Sequence, residues 1–200
     1  MMNDEKMNII DVGCMQVQIF LPGQLIPTEV IRPKLSHGTR MVEVATGTED
    51  LGNCDAIYTE NQKLILGFST ADCAAICLGD QKRIGIAHIG WPGLSLGLVE
   101  KILEKFDTID TSVYVSPFMH SFEIQKDFCY DALAPKFEKY IEEVPDGKLI
   151  FHFKDAIASL LPPGTIFDSR NTFLDQTLPS FRRNKTKDRM YTAVRFLKEN

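Results

Sequence analysis

Several residue types on which common functional classes depend are scarce in this chain. It has 200 residues, yet only four histidines, one tryptophan and five cysteines. Four histidines do not supply the spread of imidazoles that a multicopper cluster needs. Five is an odd number of cysteines, and their spacing sets out no disulfide framework. Cys73 and Cys77 lie four apart with no second pair to close a structural zinc site, so reduced thiols in a cytoplasmic setting are expected. Basic charge is also short: 22 Lys and Arg face 27 Asp and Glu, and a net charge of −5 argues against broad nucleic-acid binding. The exception is a local basic cluster from Arg182 to Arg189. No apolar run approaches a membrane span. The opening MMNDEKMNII carries acidic residues where a signal peptide would be basic.

There is no fixed-period repeat, low-complexity tract or long linker. A hydrophobic fraction of 44% with 24% charged residues fits a soluble globular chain, here read as one domain over residues 1–200. Alternation over residues 8–20 predicts a strand ended by Pro22-Gly23. Further strands are predicted around Glu29–Arg32, Arg40–Val44, Cys54–Tyr58, Thr111–Val115, Lys148–Phe153, Thr165–Asp168 and Tyr191–Leu197. One helix is predicted after Gly93, with Leu94, Leu98, Ile102 and Leu103 on its apolar face and Gly97 inside it. Two more are predicted over Lys126–Ile141 and Lys154–Leu161. Strands outnumber helices and come in both hairpins and crossovers, which points to an α+β fold with mixed sheets.

The richest stretch is 63–97, KLILGFSTADCAAICLGDQKRIGIAHIGWPGLSLG. The runs Ala74–Leu78 and Arg83–His88 flank Gly79-Asp80-Gln81-Lys82, a turn-forming segment. An even loop centred between Asp80 and Gln81 would set Leu78 opposite Arg83, Ile76 opposite Gly85 and Cys73 opposite His88. Facing side chains of a ladder have Cβ atoms about 4.5–5.5 Å apart, close enough for a thiolate and an imidazole to share one metal.

The motifs Thr70-Ala71-Asp72-Cys73 and Ala87-His88-Ile89-Gly90-Trp91-Pro92-Gly93 resemble the TADC and AHxGWRG motifs of the laccase-domain family, also called polyphenol-oxidase-like or peptidoglycan-editing-factor proteins. Ser36-His37-Gly38 is similar to its VHG element. Ser180-Phe181-Arg182-Arg183-Asn184 with Asp188-Arg189-Met190 echoes its SYRRD…TGR pattern. The resemblance runs from about residue 36 to the end, which leaves 1–35 as a divergent N-terminal segment of the domain. Pro92 stands where the family carries arginine, and no STRxGG-like element precedes Ser36. The loop Ser116–Glu123 is about two residues shorter than the family's GPxIGPxxFEV, so the resemblance implies that an anion-binding arginine is missing here.

The resemblance implies a layered α/β/β/α fold and a metal, zinc with copper as the alternative, held by His37, Cys73 and His88. It implies action on purine nucleosides by phosphorolysis or deamination, editing of peptidoglycan precursors, or copper-dependent oxidation of phenols. A small-molecule substrate, a nucleoside or nucleotide-linked precursor, and phosphate are then the expected partners, with no nucleic acid and no membrane. Asp72, Cys73 and His88 are the candidate catalytic residues, with Asp72 as base or as acceptor of backbone hydrogen bonds. Without a metal, Cys73 and His88 would form the nucleophile and base of a cysteine hydrolase. A binding protein that kept the scaffold without its chemistry is a third reading. Arg182 and Arg183 are the candidate phosphate ligands, Arg183 favoured by the motif, against a merely solvated basic loop. Trp91 is read as core or as a surface for stacking on a purine. His120 and His152 have no partner legible in the sequence.

Overall fold

The computed structural model describes residues 8–107 and 109–197. The reading of the first residues as leaderless therefore lies largely outside them. The chain opens with a hairpin, β1 (Asn8–Val12) and β2 (Met15–Phe20), in place of the single strand predicted over 8–20. Gly13 at φ 55° makes the turn between them, a conformation that glycine adopts without steric cost. β3 (Val30–Ile31), β4 (Met41–Glu43), β5 (Ala56–Thr59) and β6 (Ile65–Thr70) follow. Then come the central strands β7 (Ala74–Gly79) and β8 (Ile84–Ile89).

The predicted single helix after Gly93 is two, α1 (Trp91–Ser95) and α2 (Leu98–Leu103). Gly97 separates them in the left-handed region at φ 81°. The remainder is β9 (Ser112–Val115), β10 (Phe122–Ile124), α3 (Phe128–Phe137), a 3-10 turn (Glu138–Tyr140), β11 (Ile141–Glu143) and β12 (Leu149–Phe151). It ends with α4 (Phe153–Ala158), β13 (Ile166–Phe167), α5 (Phe181–Asn184) and β14 (Met190–Phe196). Ile141, predicted as the end of a helix, instead starts a strand on β12.

The strands form a six-stranded sheet in the order β13-β9-β7-β8-β5-β4 and a five-stranded sheet in the order β1-β2-β14-β6-β3. A small sheet, β10-β12-β11, stands apart. β13/β9, β4/β5 and β3/β6 are parallel and the other pairs antiparallel, so the two large sheets are mixed, as expected of this α+β domain. The central strands β7 and β8 are buried on both faces. Ala74, Ile76 and Leu78 face one core, shared with α1, α2, α3 and α4. Ala75 and Cys77 face the other, which also takes Met15, Val17, Leu66, Phe68 and Val194 from the five-stranded sheet. Residues alternating along one strand thus bind a helical layer on one side and a second sheet on the other.

The β7–β8 register differs from the expected one. Ala75, not Cys73, faces His88, and Leu78 faces Gly85. The turn sits one residue later than predicted because Asp80 closes it. Its Oδ1 accepts the N–H groups of Lys82 and Arg83, each at 2.8 Å, while its own N–H reaches the Arg83 carbonyl. The pairing moves by two residues, which leaves every side chain on the face it had. Cys73 and His88 therefore still project to the inter-sheet side.

Candidate active site

The site lies where β6, β7 and β8 end together. The loop before β4 brings His37 to it, and the N–H groups of that loop are gathered by one carboxylate. Asp55, fully buried just before β5, accepts from the N–H groups of Ser36 (3.2 Å), His37 (2.9 Å) and Gly38 (2.9 Å) and from the Ser36 hydroxyl (2.6 Å). Its Oδ1 also lies 3.1 Å from His88 Nδ1. One side chain thus fixes the backbone of the first imidazole and the ring of the second. With Nδ1 engaged by Asp55, His88 has Nε2 left for another partner.

That partner is the sulfur. Donor atoms of His37, Cys73 and His88 all lie within 4.8 Å of one another, and the two imidazole centroids are also 4.8 Å apart at an interplanar angle of 84°. Gly90 makes room for this approach: a Cβ there would sit 3.2 Å from Cys73 Sγ and 3.3 Å from His37 Cδ2. Burial pushes the Cys73 thiol up, but hydrogen bonds and charge from His37 and then His88 outweigh it and bring it down to about 7. Burial likewise opposes the charged form of His88, while Asp55 and Cys73 favour it and raise the ring to about 9. For Asp55, burial is overcome by His88, Ser36 and the loop N–H groups, and the carboxyl is held far below the ordinary range. Two imidazoles and an ionisable thiol, with a carboxylate behind one ring, are a donor set suited to a divalent transition metal. Among the described residues this is the one such group of three.

A cavity of about 630 Å³ opens over these atoms. Asp72, Trp91, Phe122, Phe153, Arg182, Lys185 and Arg189 contribute to its wall. Asp72 has φ 83°, where a left-handed backbone turns β6 into β7. Its two oxygens are both taken, one by the Thr172 hydroxyl at 2.9 Å and the other by the Arg182 N–H at 2.7 Å. It acts as an anchor for the chain entering α5, and the general-base reading lacks a free oxygen. Trp91 is partly exposed, touches Phe128 with ring centroids 5.7 Å apart, and lines the cavity.

The two candidate arginines separate. Arg183 points away from the cavity and spends its guanidinium on the carbonyls of Thr172, Phe173, Asp175 and Leu178, at 2.6–3.1 Å. It ties a loop together and is not placed to bind phosphate. Arg182 does reach the cavity, stacked 4.7 Å above the Phe122 ring with one N–H on the Glu123 carbonyl. Of the histidines without a sequence-legible partner, His152 lies 2.9 Å from a Glu142 oxygen, while the buried Nε2 of His120 finds none among the described residues. Asp55 was missed in the sequence. The signal available was a lone carboxylate beside the apolar Cys54, Ala56 and Ile57, a placement that a buried strand tolerates only when the charge is paired.

Comparison with solved structures defines the class of fold. The crystal structure of the Bacillus licheniformis hypothetical protein YfiH superposes with a TM-score of 0.74 at 21% identity, covering 84% of this chain and 74% of that one. The Neisseria meningitidis protein NMB0706 gives 0.73 at 21% identity, over 89% and 76%. At such identity the likeness is one of fold. A family profile described as multi-copper polyphenol oxidoreductase laccase matches residues 18–196, and the chain belongs to that laccase-domain family. A protein of Aquifex aeolicus named purine nucleoside phosphorylase is 32% identical over 149 residues, 70% of this chain and 69% of its own length. Another so named, from Staphylococcus epidermidis, is 29% identical over 164 residues; the match covers 74% of this chain but only 62% of that protein.

Proposed function

We propose that this protein is a cytoplasmic purine nucleoside phosphorylase working at the His37–Cys73–His88 centre. The observation that carries the reading is the convergence of those three donors, backed by Asp55, at the floor of a cavity large enough for a nucleoside. Relatives named for this activity at about 30% identity support it. In the reaction a phosphate oxygen bonds to the anomeric carbon of the ribose while the bond from that carbon to the base nitrogen breaks, and the base takes up a proton.

Trp91 stacks on the base, and Phe122 and Phe153 exclude water from the reacting bond. His88, held by Asp55 at Nδ1, presents Nε2 to the metal position, and the carboxylate fixes its ring orientation. Asp72 is a positioning residue that holds α5, and with it Arg182, against the cavity. His37, Cys73 and His88 would hold a zinc ion, and the chemistry it would supply is polarisation of a substrate oxygen. Copper is the second candidate for the same donors. Residues 1–35 belong to this same domain as its divergent N-terminal part. Among the described residues no helix is long and apolar enough to cross a membrane.

The thiol brought down to about 7 beside two imidazoles supports a second reading, a cysteine hydrolase with His88 as base. One experiment separates the two. Purified protein incubated with inosine or adenosine is expected to release free base only when phosphate is supplied. Release without phosphate, or activity that survives chelation and is abolished by iodoacetamide, contradicts phosphorolysis at a metal centre.

A further inference from the structure

We infer that a second cavity beside the first takes an apolar, ring-sized substituent on the exocyclic amine of a purine base, an inference that rests on the reading of the first cavity as a nucleoside site. The second cavity measures about 780 Å³ and shares Trp91, Met119, Phe122 and Arg182 with the first as a common wall. The donors His37, Cys73 and His88 line only the first. A nucleoside with its anomeric carbon at those donors and its base on Trp91 turns the far edge of the base, away from the ribose, toward the second cavity. In adenosine that edge carries the exocyclic amine.

The walls of the second cavity say what would fill it. Phe128 and Leu174 are each 71% exposed and Phe173 is 41% exposed, and all three stand on its rim. Exposed apolar side chains gathered at one groove mark a binding surface, whereas single ones scattered over a molecule do not. Their backbones are held in place. Asp127 caps α3 ahead of Phe128, its Oδ1 accepting the Cys129 N–H at 2.9 Å. The turn 171–175 closes on Asn171, whose carbonyl accepts from Leu174 (3.1 Å) and Asp175 (2.8 Å) and whose Oδ1 accepts from Phe173 (3.0 Å). Arg183 clamps the same turn through the Thr172 and Phe173 carbonyls, so the guanidinium turned away from the first cavity fixes a wall of the second. Charged groups on the wall are engaged: Glu123 lies 3.6 Å from Lys148, and Arg182 rests on the Phe122 ring and the Glu123 carbonyl. An uncharged ring, which packs on phenylalanine and asks for no hydrogen bond, is the chemistry that fits.

Trp91 is the chain's one tryptophan and stands between the two cavities, so its emission reports their occupancy. The full chain is titrated, in phosphate-free buffer, with adenosine and with adenosine bearing a benzyl group on the exocyclic amine. The benzyl compound is expected to bind about tenfold more tightly, the order expected when part of a ring's apolar surface leaves water. Leu174→Asp sets a carboxylate in the groove from an exposed position and is expected to abolish that preference. Leu25→Asp, at a leucine 90% exposed that lines neither of these cavities, is expected to keep it. Equal or weaker binding of the benzyl compound, a preference that survives in Leu174→Asp, or no saturable change in emission with either compound overturns the inference. So does a dimer in sedimentation that Leu174→Asp converts to monomer, which assigns the groove to a second copy of the chain. Preferential binding without release of free base in the presence of phosphate keeps the subsite and ends the phosphorylase reading. Phosphate-dependent release of base from adenosine, with no preference for the benzyl compound, does the reverse.

Discussion

Asp55 carries more of the site's geometry than any ligand candidate, because its two oxygens serve the His37 loop and the His88 ring at once. Replacing it by Asn removes the charge behind those contacts and is expected to destabilise the fold by about 2–4 kcal/mol, measured by denaturant unfolding near neutral pH. The pH dependence has a definite sign. A carboxyl whose folded-state pKa is depressed contributes stability above its unfolded value, and that contribution disappears as the pH falls. The stability gap between wild type and Asp55→Asn should therefore narrow as the pH drops from about 6 to about 3. A gap that stays constant over that range would mean that folding does not depress the Asp55 carboxyl.

Cys73 and His88 could be paired from the hairpin reading and His37 joined to them only through the family resemblance, whereas Asp55 belonged to neither. Histidine and cysteine are few here, and each draws notice. Aspartate is common, and its burial shows only when the partners on Ser36, His37 and Gly38 are in view. The separation of Arg182 from Arg183 has the same origin. A run of basic residues tells nothing of which head group finds carbonyls and which faces the cavity.

Among the elements, the β7–β8 hairpin shows why a displaced register can still lead to the right neighbourhood. The turn closed by Asp80 shifts the pairing by two residues, and strand faces repeat with that same period. A shift of one would have sent Cys73 and His88 to opposite cores. The helix after Gly93 was misjudged because apolar spacing continues through Gly97, whereas backbone conformation does not. This yields a test of sign. Were Gly97 inside one helix, Gly97→Ala would stabilise by about 1 kcal/mol. At φ 81° between α1 and α2, the alanine variant is expected to lose about 1–2 kcal/mol and several degrees of Tm. A rise in Tm would restore the single helix.

At the scale of the whole molecule, the site stands at the common end of two sheets packed face to face. Phe68 of one sheet and His88 of the other have ring centroids 6.3 Å apart. The sandwich depends on β14, which pairs with β2 on one side and β6 on the other, joining residues at opposite ends of the chain. Mixed sheets were legible from the number and spacing of strands, but those pairings were not, since alternation fixes a strand's faces and leaves its neighbours open. β10 and β11 are not among the predicted strands: Phe122 and Glu123 fall in the loop Ser116–Glu123, and Ile141 ends the helix predicted over Lys126–Ile141.

Metal content tests the central claim most directly, namely that three donors from separate parts of the chain act as one centre. Elemental analysis of full-length protein purified without a histidine tag should find about one equivalent of zinc or copper per chain. That metal should be lost in both Cys73→Ala and His88→Ala, each checked for folding by circular dichroism. A wild type free of metal, or folded variants that retain it in full, would contradict the account.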